Sequence, residues 1–289
     1  MKKSLSAIAV EKYFIATKAK DRYNKISLAL ADGTFEYEEE SVDIKKIADN
    51  VTERVISDRK VYIINDGENR DTLFYFCGGG YINAPNRYQY IFLDKLSKAT
   101  GLRIIITLYG RVPKYNYKTE IPILIDIYKM YLPSCKKVFM GGDSSGGGLA
   151  LNLAYHLRDL KYDLPTKLVL FSPWVDISLK NPKIKEVTKL DKFLDVGKNS
   201  ILGDTWTCGN MQDPYASPLY GDVKGLPEVV IYTGTHDILY PDMVLYKEKL
   251  DENNIPNKFI AREGMLHVYV IYPITEAKVE FPNICKEFE

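Results

Sequence analysis

Short runs of β-branched and aromatic residues recur along the chain: Val61–Ile64, Leu73–Phe76, Arg103–Leu108, Lys137–Met140, Lys167–Phe171, Val229–Tyr232 and Lys258–Ala261. Most are almost continuously apolar, as strands covered on both faces must be. Between several of them the spacing turns helical. Leu124, Ile127, Tyr128 and Tyr131 make one apolar helix face, and Pro133 ends that helix. Leu149, Leu153 and Leu157 form a second such face, and Asp242 is placed to cap a helix running to about Glu252. Residues 1 to about 55 are mixed and charged, with an amphipathic helix expected around Ile44–Ile56. Strands alternating with helices predict an α/β fold, a mostly parallel eight-stranded sheet with helices on both faces. The stretch Asp176–Pro214 breaks the rhythm and is too long for a plain loop. We expect one domain over 1–289, with a small helical cap from about 1–55 and 177–211.

Composition narrows the classes of function. The chain has 289 residues, enough for one large core, and 46% of them are hydrophobic, which fits a globular protein. Lysine plus arginine (39) balances aspartate plus glutamate (38), so neither a nucleic-acid partner nor an anionic membrane is expected. No run is long enough to span a bilayer, and Glu11 breaks the apolar run after Met1-Lys2-Lys3, which argues against a signal peptide. Cys77, Cys135, Cys208 and Cys285 are scattered without metal-binding spacing, so we expect reduced thiols, no metal and a cytoplasmic location.

The sharpest chemical signal is Gly142-Asp143-Ser144-Ser145-Gly146, lying between an expected strand and an expected helix. A serine on such a strained turn needs tiny neighbours two residues either side, and Ser144 has Gly142 and Gly146. Ser145 fails that test, because Asp143 precedes it by two. A phosphate-binding loop would need Lys and then Ser or Thr after the last glycine, but Leu149 follows Gly148. Upstream, Cys77-Gly78-Gly79-Gly80-Tyr81 follows a strand, where bare backbone amides can approach a developing negative charge. Gly78, Gly79 and Ser145 are the candidate oxyanion donors, and Tyr81 is a candidate pocket-lining residue.

With both motifs in place, the chain resembles the hormone-sensitive-lipase-like group of α/β-hydrolases, which includes bacterial acetyl esterases. The likeness covers about 60–275. It continues through Ser172-Pro173-Trp174-Val175-Asp176, Asp213-Pro214-Tyr215-Ala216-Ser217-Pro218, Leu226-Pro227, Gly234-Thr235-His236-Asp237-Ile238-Leu239 and Gly264-Met265-Leu266-His267. The resemblance implies a triad completed by Asp237 and His267, an ester substrate with a short acyl chain, and no cofactor. The chain departs from the family at Cys77, where histidine is usual, and at Ser145, where alanine is usual and only the backbone amide is needed. It departs again at Tyr109-Gly110-Arg111-Val112-Pro113, a looser form of a tyrosine-arginine-leucine-alanine-proline piece.

The residues themselves point the same way. A serine hydroxyl needs an adjacent base, and only three histidines exist. His156 falls about three turns into the helix after Ser144. His236 directly precedes Asp237, so the two cannot easily line up. His267 follows the last strand, which suits the chain order Ser, Asp, His. The expectation is a serine carboxylesterase acting on a small-molecule ester through an acyl-enzyme. An amidase or peptidase on the same fold stays open, as does a ligand-binding relative without catalysis, because fold alone does not choose between them. The sequence leaves room for a homo-oligomer.

Overall fold

The computed structural model describes residues 3–36, 42–196 and 199–289. Parts of both expected cap segments (1–2, 37–41 and 197–198) lie outside the described residues.

Two helices come first, α1 (Leu5–Ala16) and α2 (Ala19–Ala31). The Ser4 side chain caps α1 by accepting the Ala7 N–H. A hairpin follows, β1 (Val51–Ile56) and β2 (Arg59–Ile64), turned by Ser57 and Asp58, both at positive φ. Next come β3 (Arg70–Phe76), α3 (Arg87–Thr100), β4 (Arg103–Thr107), α4 (Tyr117–Tyr131), β5 (Cys135–Asp143), α5 (Ser145–Asp159) and β6 (Lys167–Phe171). Two short helices, α6 (Ile184–Val187) and α7 (Asn199–Trp206), precede β7 (Glu228–Gly234), α8 (Tyr240–Glu252), β8 (Asn257–Arg262) and α9 (Thr275–Lys286).

The strands form one eight-stranded sheet in the order β1-β2-β4-β3-β5-β6-β7-β8. The β1–β2 and β2–β4 pairs are antiparallel and all others are parallel. The mostly parallel sheet expected from the apolar runs is therefore present. Each run is apolar throughout because alternate residues enter different cores. Phe74 and Phe76 of β3 pack on one face with Leu149 and Leu153 of α5, while Leu73 and Tyr75 pack on the other with Phe92 of α3. The segment between β6 and β7 folds back so that α7 packs on α2. No described helix is long and apolar enough to cross a membrane.

Two expectations need correction. The helix around Ile44–Ile56 is only a single turn of 3-10 helix at Ile44–Lys46, followed by β1. Val51, Val55 and Ile56 are β-branched, and β1 is an edge strand whose half-exposed polar positions mimic an amphipathic helix. Asp242 does not cap α8. Pro241 starts the helix earlier, the cap position is Leu239, and Asp242 lies in the first turn, accepting a bond from Asn181 Nδ2 at 2.8 Å.

Candidate active site

Ser144 sits between β5 and α5 at φ 53°, ψ −125°, a backbone conformation L-residues rarely adopt. The surrounding backbone holds it there. Its N–H donates to the Phe171 carbonyl at 2.9 Å, and its carbonyl accepts from Gly147, Gly148 and Trp174. The flanking glycines are required by space. A Cβ on Gly142 would stand 2.5 Å from the Gly146 backbone, and one on Gly146 would stand 2.0 Å from the Phe76 carbonyl oxygen. Strand β3 and the turn can approach this closely only if both residues lack side chains.

The glycine loop after β3 is bonded to the residues on both sides of Ser144. On one side, the buried Asp143 carboxylate accepts from Tyr75 Oη at 2.9 Å, Gly78 N–H at 3.1 Å and Gln89 Nε2 at 2.9 Å. Burial raises the Asp143 pKa, and these hydrogen bonds oppose that shift. On the other side, the Ser145 hydroxyl accepts the N–H groups of Gly79 at 3.1 Å and Gly80 at 3.0 Å. Sequence reasoning expected only the Ser145 amide to matter, yet its side chain anchors the loop. Among the three expected donors, the Gly78 N–H faces Asp143, whereas the Gly79 N–H faces Ser145 Oγ. Tyr109 Oη donates to the Cys77 carbonyl at 2.9 Å, so the Tyr109–Pro113 piece braces the start of the same loop.

His267 and Asp237 come from the loops after β8 and β7. These loops meet because Gly234 has no side chain; a Cβ there would lie 2.1 Å from the Met265 carbonyl oxygen. His236 N–H donates to that same carbonyl. Asp237 is fully buried, with Oδ2 2.7 Å from His267 Nδ1 and Oδ1 accepting the Leu239 N–H. Burial, the largest effect on His267, pushes its pKa down. The Asp237, Asp191 and Asp143 carboxylates outweigh that and raise it above the ordinary imidazole value. His236 turns instead toward the N-terminal region, where its Nδ1 lies 3.2 Å from Lys3 Nζ. His156, half-buried on α5, stacks on Tyr215 and lines a different cavity beside α4.

Ser144 and His267 share a cavity of about 430 Å³ that also takes in Gly78, Gly79, Phe14, Arg22, Tyr88, Phe193 and Tyr272. On another side of Ser144 lies a cavity of about 20 Å³, walled by Gly80, Trp174, Leu179, Leu194, Leu202, Ile238 and Leu239. Tyr81 was expected in the pocket but lines neither cavity. It is fully buried, its ring stacked on Trp206 at 4.2 Å and on Trp174 at 5.8 Å. Among the described residues, no group of three or more His, Cys, Asp or Glu could hold a metal ion.

Comparison with known proteins assigns the chain to a family. The alpha/beta hydrolase fold family matches residues 73–271. This chain belongs to that family. It is 27% identical to an esterase of Acinetobacter venetianus over 225 residues, 74% of this chain and 73% of the relative. It is 28% identical to an acetyl-hydrolase of Streptomyces hygroscopicus over 206 residues, 70% of this chain and 69% of the relative. The crystal structure of an esterase from the bacterial hormone-sensitive lipase family superposes with a TM-score of 0.81, at 22% identity, over 100% of this chain and 98% of that one. The expected membership of the α/β-hydrolases is borne out, and the likeness to the bacterial hormone-sensitive lipase family structure is one of fold.

Sequence reasoning missed three residues at the site of this hydrolase. Gln89 caps α3 together with Asn86, and the same amide also donates to the Gly78 carbonyl and to Asp143. The capping pair Asn86-x-x-Gln89 is visible in the sequence, but its second use is not. Asp191, fully buried, has an oxygen on the N–H next to Asp237. The Ser145 hydroxyl is the third, and it was passed over because the motif asks nothing of that side chain.

Proposed function

We propose that this hydrolase is a serine carboxylesterase that releases short acyl groups, acetyl foremost, from esters of larger alcohols. One observation carries the reading: Ser144, held at a strained turn, shares a cavity with His267, whose Nδ1 lies 2.7 Å from the buried Asp237. In this reading Asp237 accepts the Nδ1–H, which leaves the Nε2 lone pair to take the Ser144 proton as Oγ attacks the ester carbonyl. Burial of Asp237 favours the imidazolium that forms. His267 then protonates the leaving alcohol, and in the second half it activates the water that hydrolyses the acyl-enzyme.

The oxyanion is assigned to the Ser145 N–H and the loop amides around Gly79, with the Gly78 N–H held by Asp143 as the anchor of the loop. In the resting loop the Ser145 hydroxyl accepts the Gly79 and Gly80 N–H groups. A neutral ester carbonyl competes poorly with that hydroxyl. An oxyanion is the stronger acceptor, so the gain is made mainly in the transition state. The acyl group is assigned to the 20 Å³ cavity, which has room for one water-sized group such as a methyl. The alcohol is assigned to the 430 Å³ cavity. Its wall includes Phe14 and Arg22 from the first two helices and Phe193 from the segment after β6, which supports the cap expected from about 1–55 and 177–211, less the residues from Val51 onward that form β1. No cofactor is needed, and the cytoplasmic setting stays part of this proposal.

The test is turnover of p-nitrophenyl esters from acetate to laurate, with a parallel anilide panel. Ser144→Ala and His267→Ala should each lower turnover at least about a thousandfold, and His236→Ala should not. Anilide cleavage without ester cleavage would overturn the esterase reading, and full activity in Ser144→Ala would overturn the mechanism.

A further inference from the structure

Asp191 lies on the irregular stretch between α6 and α7, flanked by Leu190 and Lys192, and nothing in its sequence context marks it. Its side chain is nonetheless buried at 1% exposure. Both oxygens are used, and on different parts of the chain. Oδ1 accepts the N–H groups of Phe193 at 2.7 Å and Leu194 at 2.9 Å. Oδ2 accepts the N–H of Ile238, the residue after Asp237, at 3.0 Å. An ordinary Asx turn in a loop would use the first oxygen and leave the second to water. Burying a carboxylate is costly, so a surface turn gives no reason to keep it here.

What the two ends hold is the site itself. Phe193 lines the large cavity, and its ring stacks on His267 with centroids 6.0 Å apart. Leu194, Ile238 and Leu239 all wall the small cavity. We propose that Asp191 is a positioning residue that staples the segment after β6 to the Asp237 loop, setting the acyl cavity and fixing Phe193 over the catalytic imidazole. The inference rests on the esterase reading above. It adds to that reading a fourth side chain, outside the triad, that sets acyl selectivity and the working pH.

The second consequence is electrostatic. The ionisable groups facing His267 are Asp237, Asp191 and Asp143, and each favours the imidazolium. Those facing Asp191 are Asp237 and His267. Burial and then the Asp237 charge push the Asp191 pKa up to about 6. Neutralising Asp191 therefore makes His267 easier to deprotonate.

The experiment uses Asp191→Asn, which can still cap the turn through its carbonyl but presents a donor to the Ile238 N–H. Folding is checked by circular dichroism, and kcat/KM is measured for p-nitrophenyl acetate and hexanoate across pH, beside wild type and Ser144→Ala. The preference for acetate over hexanoate should fall about tenfold, and the acid limb of kcat/KM should move to lower pH. A purely structural role would lower Tm and leave both unchanged. If Ser144→Ala keeps its turnover, the underlying mechanism fails, whatever Asp191 does. If Ser144→Ala is dead and a folded Asp191→Asn keeps the wild-type selectivity and acid limb, the assignment of Asp191 is overturned. Should the variant not fold, wild type provides the answer. The ratio of two esters cancels ionisations common to both, so it should fall between about pH 8 and about pH 5 as Asp191 protonates, and a flat ratio overturns the assignment.

Discussion

The proposed acyl role of the small cavity can be tested by enlarging it. Leu202 lies on α7 at 1% exposure and walls the 20 Å³ cavity that opens on Ser144. Leu202→Ala removes the three carbons beyond Cβ and makes room for the two methylenes by which butyrate exceeds acetate. Each methylene buried there is worth about 0.8 kcal/mol, so the pair contributes about 1.6 kcal/mol, or roughly fifteenfold in kcat/KM for butyrate relative to acetate. The same deletion costs the fold about 2–5 kcal/mol, because the emptied site collapses only partly. The assay is therefore a ratio: both p-nitrophenyl esters are measured on one preparation, which cancels any loss of folded enzyme. Wild type should prefer acetate, and the variant should move toward butyrate by about tenfold or more. Two results would refute the reasoning. One is a wild type that already turns over hexanoate better than acetate. The other is a folded variant whose ratio moves by less than about twofold, which would mean that the acyl group binds elsewhere.

Further expectations follow from the same geometry. Ser145→Ala removes the acceptor of the half-buried Gly79 and Gly80 amides and should cost about 0.5–1.5 kcal/mol in urea denaturation; an unchanged midpoint would show that the hydroxyl is not an anchor. Gly146→Ala forces a Cβ to within 2.0 Å of the Phe76 carbonyl oxygen, a backbone atom that cannot swing aside. It should cost at least about 3 kcal/mol or prevent folding, as read by the same urea titration, and normal stability would contradict the closeness of β3 to the turn. If His267 is the base, as proposed, catalysis needs it neutral, and its neighbouring carboxylates raise its pKa. The acid limb of kcat/KM should thus be centred above the ordinary imidazole value of 6.5, with activity lost as pH falls through it. A limb centred below that value would speak against His267 as the base.

What the sequence discloses about this site depends on how far apart the interacting parts are. The nucleophile turn is readable because its constraint is steric and local. Gly142 and Gly146 must be bare, and no other pattern around Ser144 satisfies that. The central strands are readable for a similar reason, since burial on both faces leaves an apolar run, although Val268–Tyr272 shows the same composition in a turn and a 3-10 helix. Strand β1 was not readable, because an edge strand is half wet and its Thr52, Glu53 and Arg54 break the run. Gln89, Ser145 and Asp191 were hidden for a different reason. Each acts through a bond to backbone from distant chain: Gln89 to Gly78, Ser145 to Gly79 and Gly80, Asp191 to Ile238. Any backbone amide can receive such a bond, so no residue type at the far end signals it. The triad reading lies between these cases. Ser144, Asp237 and His267 are far apart in the chain, yet chain order and the scarcity of histidine narrow the choice. The approach of their loops is then enforced at Gly234, whose missing side chain admits Met265 two residues before His267. The glycine is therefore as much a condition of the His267–Asp237 bond as the two residues that make it, and it was legible only as part of a motif.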